Sequence, residues 1–377
     1  MKFMKIHAKS NLSGATTEVV NPAAIRWLTA LAAFVALTAC GGGGGNSPSV
    51  SPAPSPAPNP GSPAPSPAPP PTNPPPAQPP AFFIPSSVRS QAATPTYPVG
   101  SLNRYAFDTL NSELGRCGFG YSNQDLRLDR AAKAHGDWMA VNNQFSHTAD
   151  GTRFPNGFTG TTPGDRARFQ GYPNDTGEDL ALTGTLYGDA AAERQSAEIA
   201  LRSLLAAPFH LASLAGSARD VGIAYTRGGD LGLMQGRQNS LYLTIVPASV
   251  ATQPRQDISS DEVVTYPCEG TTGVHGAVYG EDPNPVPGRN LLTNPIGNGV
   301  LVRTNIVSNI SVTSFSMVEA GTTTPIRMLP PVVFNASQIF FSDAPLKRST
   351  RYSVTVRGSA NNVPFGRTFT FTTGVDY

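Results

Sequence analysis

Three polar side chains between the predicted helices and strands have the chemistry of a metal or acid–base site. They are His147 in the sequence Phe-Ser-His-Thr-Ala-Asp-Gly, Glu178 in Gly-Glu-Asp-Leu-Ala, and His210 in Ala-Pro-Phe-His. Neutral imidazole and carboxylate groups bind zinc and act as general bases. If the three loops converge, they form a divalent-metal or general-base site. Spacing alone leaves open a second interpretation, in which the three are separate surface polar groups.

The elements that must position these residues follow from hydrophobic periodicity. Apolar residues at helical spacing predict helices over 102–114, 126–139 and 190–205, with His210 closing the third. The second helix directs His135 to the interior, where we expect a packed structural histidine. Residues 220–225 and 241–246 are rich in β-branched and aromatic residues and predict strands. Early helices and late strands indicate an α+β fold.

A series of short motifs follows in a fixed order over residues 100–250. They are Leu102-Asn-Arg104, Ala131-Ala-Lys-Ala-His-Gly-Asp-Trp-Met139, Phe145-Ser-His147, Gly151, Asp165-Arg166, Gly171-Tyr172, Gly177-Glu-Asp-Leu-Ala181, Ala207-Pro-Phe-His210 and Val221-Gly-Ile223. Their order resembles the CAP superfamily of cysteine-rich secretory, antigen five and pathogenesis-related proteins, also called SCP-like. The resemblance implies a CAP-type α-β-α sandwich.

The resemblance also implies a central cavity with two histidines and two acidic residues, which in some members binds zinc or magnesium. His147 matches the first histidine, Glu178 the glutamate of the Gly-Glu-Asn motif, and His210 the histidine of the bacterial Ser-Pro-Gly-His turn. These three are the expected cavity and metal residues. The second acidic residue has no counterpart by position, and Glu193 and Glu198 are the candidates to replace it.

The N-terminus is similar to the signal peptide of a bacterial lipoprotein. Basic residues precede an apolar run that is shorter than the roughly 20 residues of a membrane span, and the run ends in Leu37-Thr-Ala-Cys40, which resembles a lipobox. We therefore expect a signal peptide over 1–39, lipidation of Cys40, and anchoring to a membrane outside the cytoplasm. In an organism with two membranes, the outer one is expected.

A proline-rich segment separates this anchor from the folded part. Much of the chain's 37 Pro lies there, in repeats of Ser-Pro-Ala-Pro that carry no charge and no apolar periodicity, so residues 40–94 are predicted to be a disordered stalk. The CAP/SCP-like domain is predicted over 95–270. The net charge of +2 indicates no nucleic-acid partner.

Two cysteines remain once Cys40 is lipidated. In an oxidising compartment, Cys117 and Cys268 are expected to form a disulfide, because their spacing fits no metal or redox motif. Short alternating strands follow them, and residues 282–377 resemble bacterial immunoglobulin-like domains, which implies a small β-sandwich. His275, in the connecting segment, is expected to be exposed.

Two functions from different classes remain. In the first, the chain is a non-enzymatic binding module for a lipid, glycan or protein ligand at the cell surface, with the immunoglobulin-like domain as spacer or second contact. In the second, His147 and Glu178 form a base or metal–water site of a hydrolase that acts on peptides or cell-wall material. No serine or cysteine nucleophile stands beside a histidine in a familiar motif, so binding is favoured. The polar trio can also be purely structural.

Overall fold

The computed structural model describes residues 83–173, 176–185, 188–229, 239–249, 256–334 and 336–375, and the backbone of residues 36–38. Residues 40–82 of the predicted stalk, with Cys40, and residues 1–35 and 39 of the predicted signal peptide lie outside these residues. The described part contains five α-helices: α1 (Leu102–Arg116), α2 (Leu126–Asn142), α3 (Pro163–Phe169), α4 (Ala190–Ala206) and α5 (Pro208–Leu214). None of these helices has the length and apolar character that crossing a membrane requires.

The first sheet lies between the helices. Its strands are arranged in the order β1-β3-β5-β4-β2, and every neighbouring pair is antiparallel except β2 and β4. The short strand β1 occupies the edge beside β3. The strand bounds are β1 (Ala36–Thr38), β2 (Asn123–Gln124), β3 (Asp179–Thr185), β4 (Asp220–Gly228) and β5 (Asn239–Ala248).

Alternating residues of this sheet contact helices on its two faces. On one face, Leu182 and Tyr242 pack with Trp138 of α2. On the other face, Leu243 joins the core that contains residues of α1, α4 and α5. This two-residue alternation of side chains buries both faces of the sheet. The predicted α+β fold class is confirmed, and α1, α2, α4, β4 and β5 cover the segments predicted from periodicity.

The C-terminal strands form two further four-stranded sheets, in the orders β12-β13-β10-β6 and β11-β14-β15-β7. Val302 of β10, Val354 of β14 and Phe369 of β15 lie in one shared core between them. The pair β8 and β9 stands apart as a two-stranded ladder. The strand bounds are β6 (Val264–Tyr266), β7 (Thr271–Val274), β8 (Ala277–Val278), β9 (Ile296–Gly297), β10 (Gly299–Arg303), β11 (Ile310–Glu319), β12 (Val332–Phe334), β13 (Ser337–Phe341), β14 (Arg351–Ala360) and β15 (Val363–Thr373).

The observed limits of the folded regions differ from the predicted ones. The backbone N–H of Ile84 donates to Ser260 Oγ at 2.9 Å, and Arg89 Nη1 donates to the carbonyl of Arg219 at 2.6 Å. Residues 84–94 therefore belong to the folded part, not to the stalk predicted over 40–94. Strand β6 pairs with β10, and β7 pairs with β15. The part of the chain that forms the C-terminal sheets, from β6 onward, is called the β-region, and it begins before the predicted boundaries at 270 and 282.

The predicted disulfide between Cys117 and Cys268 is confirmed, with an S–S distance of 2.06 Å. Cys117 caps the C-terminus of α1, and Cys268 follows β6. The bond joins the helical region to the β-region, and closing so long a loop stabilises the fold by about 2–4 kcal/mol. Both regions also share one core, because Leu301 and Phe341 pack in the same cluster as Leu204 of α4.

The closest contact between α2 and the sheet occurs at Gly222 of β4. A Cβ built on Gly222 would overlap the backbone of Leu128 and Asp129 in α2. The Asp129 carboxylate accepts a hydrogen bond from the backbone N–H of Ile223 at 2.9 Å, which fixes the same junction. Glycine is therefore required at position 222 because the two backbones approach too closely for any side chain.

We predict that Gly222→Ala destabilises the protein by about 1–3 kcal/mol, because the added methyl group forces α2 away from β4. Urea unfolding of wild type and variant measures the difference. Gly229→Ala is the matched control, since a Cβ at Gly229 meets no atom of the described residues within 4 Å. Equal losses in the two variants would contradict the close packing of α2 on β4.

Candidate functional site

A buried ion pair between Arg166 and Glu178 forms the centre of the candidate site. Arg166 Nη2 donates to Glu178 Oε2 at 2.8 Å. The same oxygen lies 3.2 Å from Nδ1 of His147, and the other carboxylate oxygen, Oε1, lies 2.8 Å from Nδ1 of His135. Both oxygens of Glu178 are therefore engaged by donors from three different elements. Of these four residues, only His147 has more than 2% of its surface exposed, at 8%.

Local structure explains how these residues converge. The chain leaves α2 through Asn143, which has a left-handed conformation with φ of 56°, and turns back toward the helix. Helix α3 begins with a capping box in which Thr162 and Asp165 exchange hydrogen bonds, and Pro163 occupies its first turn. This cap fixes the orientation of a seven-residue helix that presents Arg166 to the interior. Glu178 directly precedes β3.

Arg166 also fixes both ends of the segment 145–161, which we call the site loop. Its Nη2 donates to the carbonyl of His147 at 2.9 Å, near the start of the loop. Its Nη1 donates to the carbonyls of Gly160 and Thr161, at 3.4 and 3.2 Å, at the end of the loop. One guanidinium group therefore closes the loop and pairs with Glu178, a geometry that its fork of five donors permits.

Burial and charge set the protonation states at this centre. Burial lowers the pKa of His135, so this ring is neutral near pH 7. Burial disfavours the charged form of Glu178, but His135 and Arg166 more than offset this effect and hold the pKa of Glu178 well below its ordinary value. Because the His135 ring is neutral, we attribute the ionised state of Glu178 chiefly to the permanent charge of Arg166.

Asp179, which follows Glu178, is also buried, but a hydroxyl group contacts it where an arginine contacts Glu178. Ser213 Oγ donates to Asp179 Oδ2 at 3.0 Å. Burial raises the pKa of Asp179 to about 6, and the nearby His210 and the Ser213 hydroxyl only partly oppose this shift. The Asp179 carboxyl therefore gains a proton just below neutral pH, whereas Glu178 stays ionised.

His210 lies beside His147, and its ring contacts a carboxylate from another part of the chain, Glu281. The prediction that His210 closes the third helix is wrong, because α4 ends at Ala206 and Pro208 starts the separate helix α5. The imidazole rings of His210 and His147 are 6.4 Å apart between centroids and inclined by 30°. Nδ1 of His210 lies 3.1 Å from Glu281 Oε1.

These side chains do not fit a divalent metal ion. Both oxygens of Glu178 accept hydrogen bonds, and Arg166 would place a positive charge beside any ion bound there. In the described ranges, no group of three or more His, Cys, Asp or Glu side chains is arranged to hold a metal. The geometry therefore gives no support to the predicted zinc or magnesium site at His147, Glu178 and His210.

Several other predictions about polar residues can be compared with the structure. His135 is fully buried, as expected, but it pairs with Glu178 as well as packing. The two candidates for the second acidic residue lie elsewhere, since Glu193 pairs with Arg227 at 2.7 Å and Glu198 is exposed. The carboxylate that contacts His210 is Glu281, which sequence reasoning missed. The expectation of an exposed His275 was wrong, because this residue is 3% exposed.

A cleft of about 410 Å³ lies away from this centre, between α4 and the ends of β7 and β15. Arg202 and Glu198 contribute to one wall, and Thr272 and Thr372 contribute to the other. Arg202 is itself paired with Glu113 at 2.9 Å. The described lining of the cleft includes Glu198, one of the two candidates for the second acidic residue, but no histidine and none of the three predicted cavity residues.

Comparisons with known proteins leave the family of this chain open. No protein-family model matches the sequence, and no curated protein matches it. An outer surface protein of Borrelia burgdorferi is similar at a TM-score of 0.29 and 15% identity, covering 41% of this chain and 97% of that one. An extracellular protein of Bacillus anthracis that contains an SCP domain is similar at a TM-score of 0.27 and 19% identity, covering 42% and 45%. At such TM-scores, neither likeness bears on the fold or the function.

The raised pKa of Asp179 predicts a stability that falls as pH rises. Between the unfolded pKa near 4 and the folded value of about 6, the folded state holds a proton that the unfolded state has lost. Relative to Asp179→Asn, wild type should therefore lose about 2 kcal/mol of unfolding free energy between pH 4 and pH 7.

Urea unfolding of both proteins across this pH range measures the difference. Comparing the two cancels the contribution of His135, which both proteins contain. A difference that is constant with pH would show that Asp179 titrates normally in the folded state.

Proposed function

We propose that this chain is a lipid-anchored, extracytoplasmic CAP-like protein that acts as a non-enzymatic binding module and presents the site loop to its ligand. The order of CAP-like motifs in the sequence supports this assignment, as does the sheet with helices packed on both faces. The two C-terminal sheets that share one core fit an immunoglobulin-like domain. The lipobox-like ending at Cys40 supports the anchor, and the disulfide suits an oxidising compartment.

The observation that carries the proposal is the fixation of the site loop by Arg166. Its bonds to carbonyls at both ends of the loop hold the intervening residues in one shape. Loops held by a rigid scaffold are the usual location of binding residues, because their surface is free while their conformation is set. Thr148, Asp150 and Arg153 are exposed on this loop.

The character of the exposed loop favours a glycan or a protein as ligand. Phe158, which is 37% exposed, is the one exposed large apolar side chain in this fully described loop. A single aromatic ring among polar side chains gives a mixed surface, whereas a bilayer requires a larger apolar face. The aromatic ring of Phe158 and the guanidinium of Arg153 are the side chains we expect to contribute most to binding.

The centre has the wrong properties for a hydrolase that uses Glu178 as its base. A general base near neutral pH needs a pKa close to the working pH and a position within reach of the substrate. The pKa of Glu178 is held well below its ordinary value, both of its oxygens are occupied, and the residue is 1% exposed. A structural centre that supports a binding surface fits these properties better.

Insoluble peptidoglycan sacculi test both functions with one probe. We predict that the full chain cosediments with sacculi and releases no soluble fragments from them. The double variant Arg153→Ala/Phe158→Ala should reduce retention roughly tenfold or more, because it removes both main contacts. Phospholipid vesicles are the comparison probe, to which we expect no binding.

The matched control is Arg327→Ala/Val333→Ala, which removes one exposed cation and one exposed apolar side chain from the C-terminal region. This variant should bind sacculi like wild type. If wild type releases soluble fragments and Glu178→Gln does not, the protein is a hydrolase and not a non-enzymatic binding module. If Arg153→Ala/Phe158→Ala is retained on sacculi as well as wild type, the site loop is not the binding surface.

A further inference from the structure

We infer that Glu281 is a positioning residue of the candidate site, so that the β-region completes the site instead of serving as a spacer. Glu281 lies in the segment between β8 and β9, outside the range of the CAP resemblance. It is the partner of His210, which faces His147. The residue has no counterpart in the predicted site, and the contact spans 71 positions of sequence.

The contacts of Glu281 replace a missing helix cap. Oε1 accepts hydrogen bonds from the backbone N–H groups of Phe209 and His210, at 2.7 and 3.1 Å. The first N–H groups of a helix have no partner within it, and Ala207 at the N-cap of α5 provides no side-chain acceptor. The Glu281 carboxylate, from a distant segment, therefore accepts the hydrogen bonds that an N-cap serine or aspartate accepts in other helices.

The same oxygen orients the His210 ring. Nδ1 of His210 lies 3.1 Å from Glu281 Oε1, and the side chains of both residues are completely buried. A carboxylate oxygen can only accept, so Nδ1 must carry the hydrogen. The hydrogen bond thus selects one tautomer and one plane for the ring that stacks near His147.

Two carboxylates therefore bind α5 at successive turns. Glu281 binds its first turn, and Asp179 of β3 accepts from Ser213 one turn later. The β-region also contacts α5 directly, because the rings of Phe209 and Phe334 meet edge to face at 5.7 Å. A change in the position of the segment that carries Glu281 must consequently change the position of His210 relative to His147.

The histidine side-chain signals of the full chain test this inference, by long-range proton–nitrogen NMR without any ligand. In Glu281→Leu, the acceptor for Nδ1 of His210 is lost. We expect the signals of His210 to shift to another tautomer and those of His147 to shift with them. His275, on a different partner, should keep its signals. Glu281→Gln retains an acceptor oxygen and should restore the wild-type pattern.

The matched control is Glu269→Leu, which removes another carboxylate that accepts from a backbone N–H, that of Thr370, far from His210 in sequence. This variant should leave all histidine signals in place. If Glu281→Leu does not fold, Glu281→Asp retracts the carboxylate by one methylene and should shift the same two residues. A loss of thermal stability with unchanged His210 and His147 signals would overturn the inference. Since no ligand is used, this result is independent of whether the site loop binds sacculi.

Discussion

The buried ion pair of Arg166 and Glu178 is the interaction on which the candidate site depends. Removing two charges from water costs several kcal/mol per ion, and the cost is offset only when the pair is close and further hydrogen bonds engage its other polar atoms. His135 and His147 engage the carboxylate, and loop carbonyls accept from both terminal nitrogens of the guanidinium. Among the described residues, Arg166 Nε and His135 Nε2 remain buried without a hydrogen bond. Loss of either partner would leave an unpaired buried charge, which costs about 3–5 kcal/mol.

This constraint links parts of the molecule that are distant in sequence. The ion pair joins α3 to the start of β3, and its hydrogen bonds close the site loop. His147 lies beside His210, and Glu281 ties His210 to the segment between β8 and β9. The disulfide and the shared core join the same two regions at other points. The helical region and the β-region therefore act as one structural unit around the polar centre.

Much of the fold could be predicted because its main elements carry strong local patterns. Helix α2 has apolar residues at helical spacing with His135 on the inner face, and β14 alternates apolar and polar residues over most of its length. The cysteine pair could be predicted by elimination within an oxidising compartment. The CAP-like order of motifs predicted that His147 and Glu178 lie close together. It did not predict that Arg166 pairs with the same carboxylate.

The remaining features have no local signal. Helix α3 contains seven residues, too few to show a period, so the inward direction of Arg166 could not be read from its neighbours. Pro208 cannot continue a helix and marks the end of α4, but the seven residues of α5 are too few to show that a second helix begins there. Glu281 meets α5 from a distant segment. A buried carboxylate is recognised by its partners, and those are fixed only by the tertiary fold.

Hydrogen exchange of the site loop measures the central claim most directly. Arg166→Lys keeps the positive charge but cannot reach the carbonyls at both ends of the loop while it pairs with Glu178. The account predicts that amides of residues 145–161 exchange roughly tenfold faster or more in this variant, while amides of α4 exchange as in wild type. Arg168→Lys, at an exposed neighbouring position, is the matched control and should leave the loop unchanged. Equal loop exchange in wild type and Arg166→Lys, with both proteins folded, would contradict the role of Arg166 in holding the site loop.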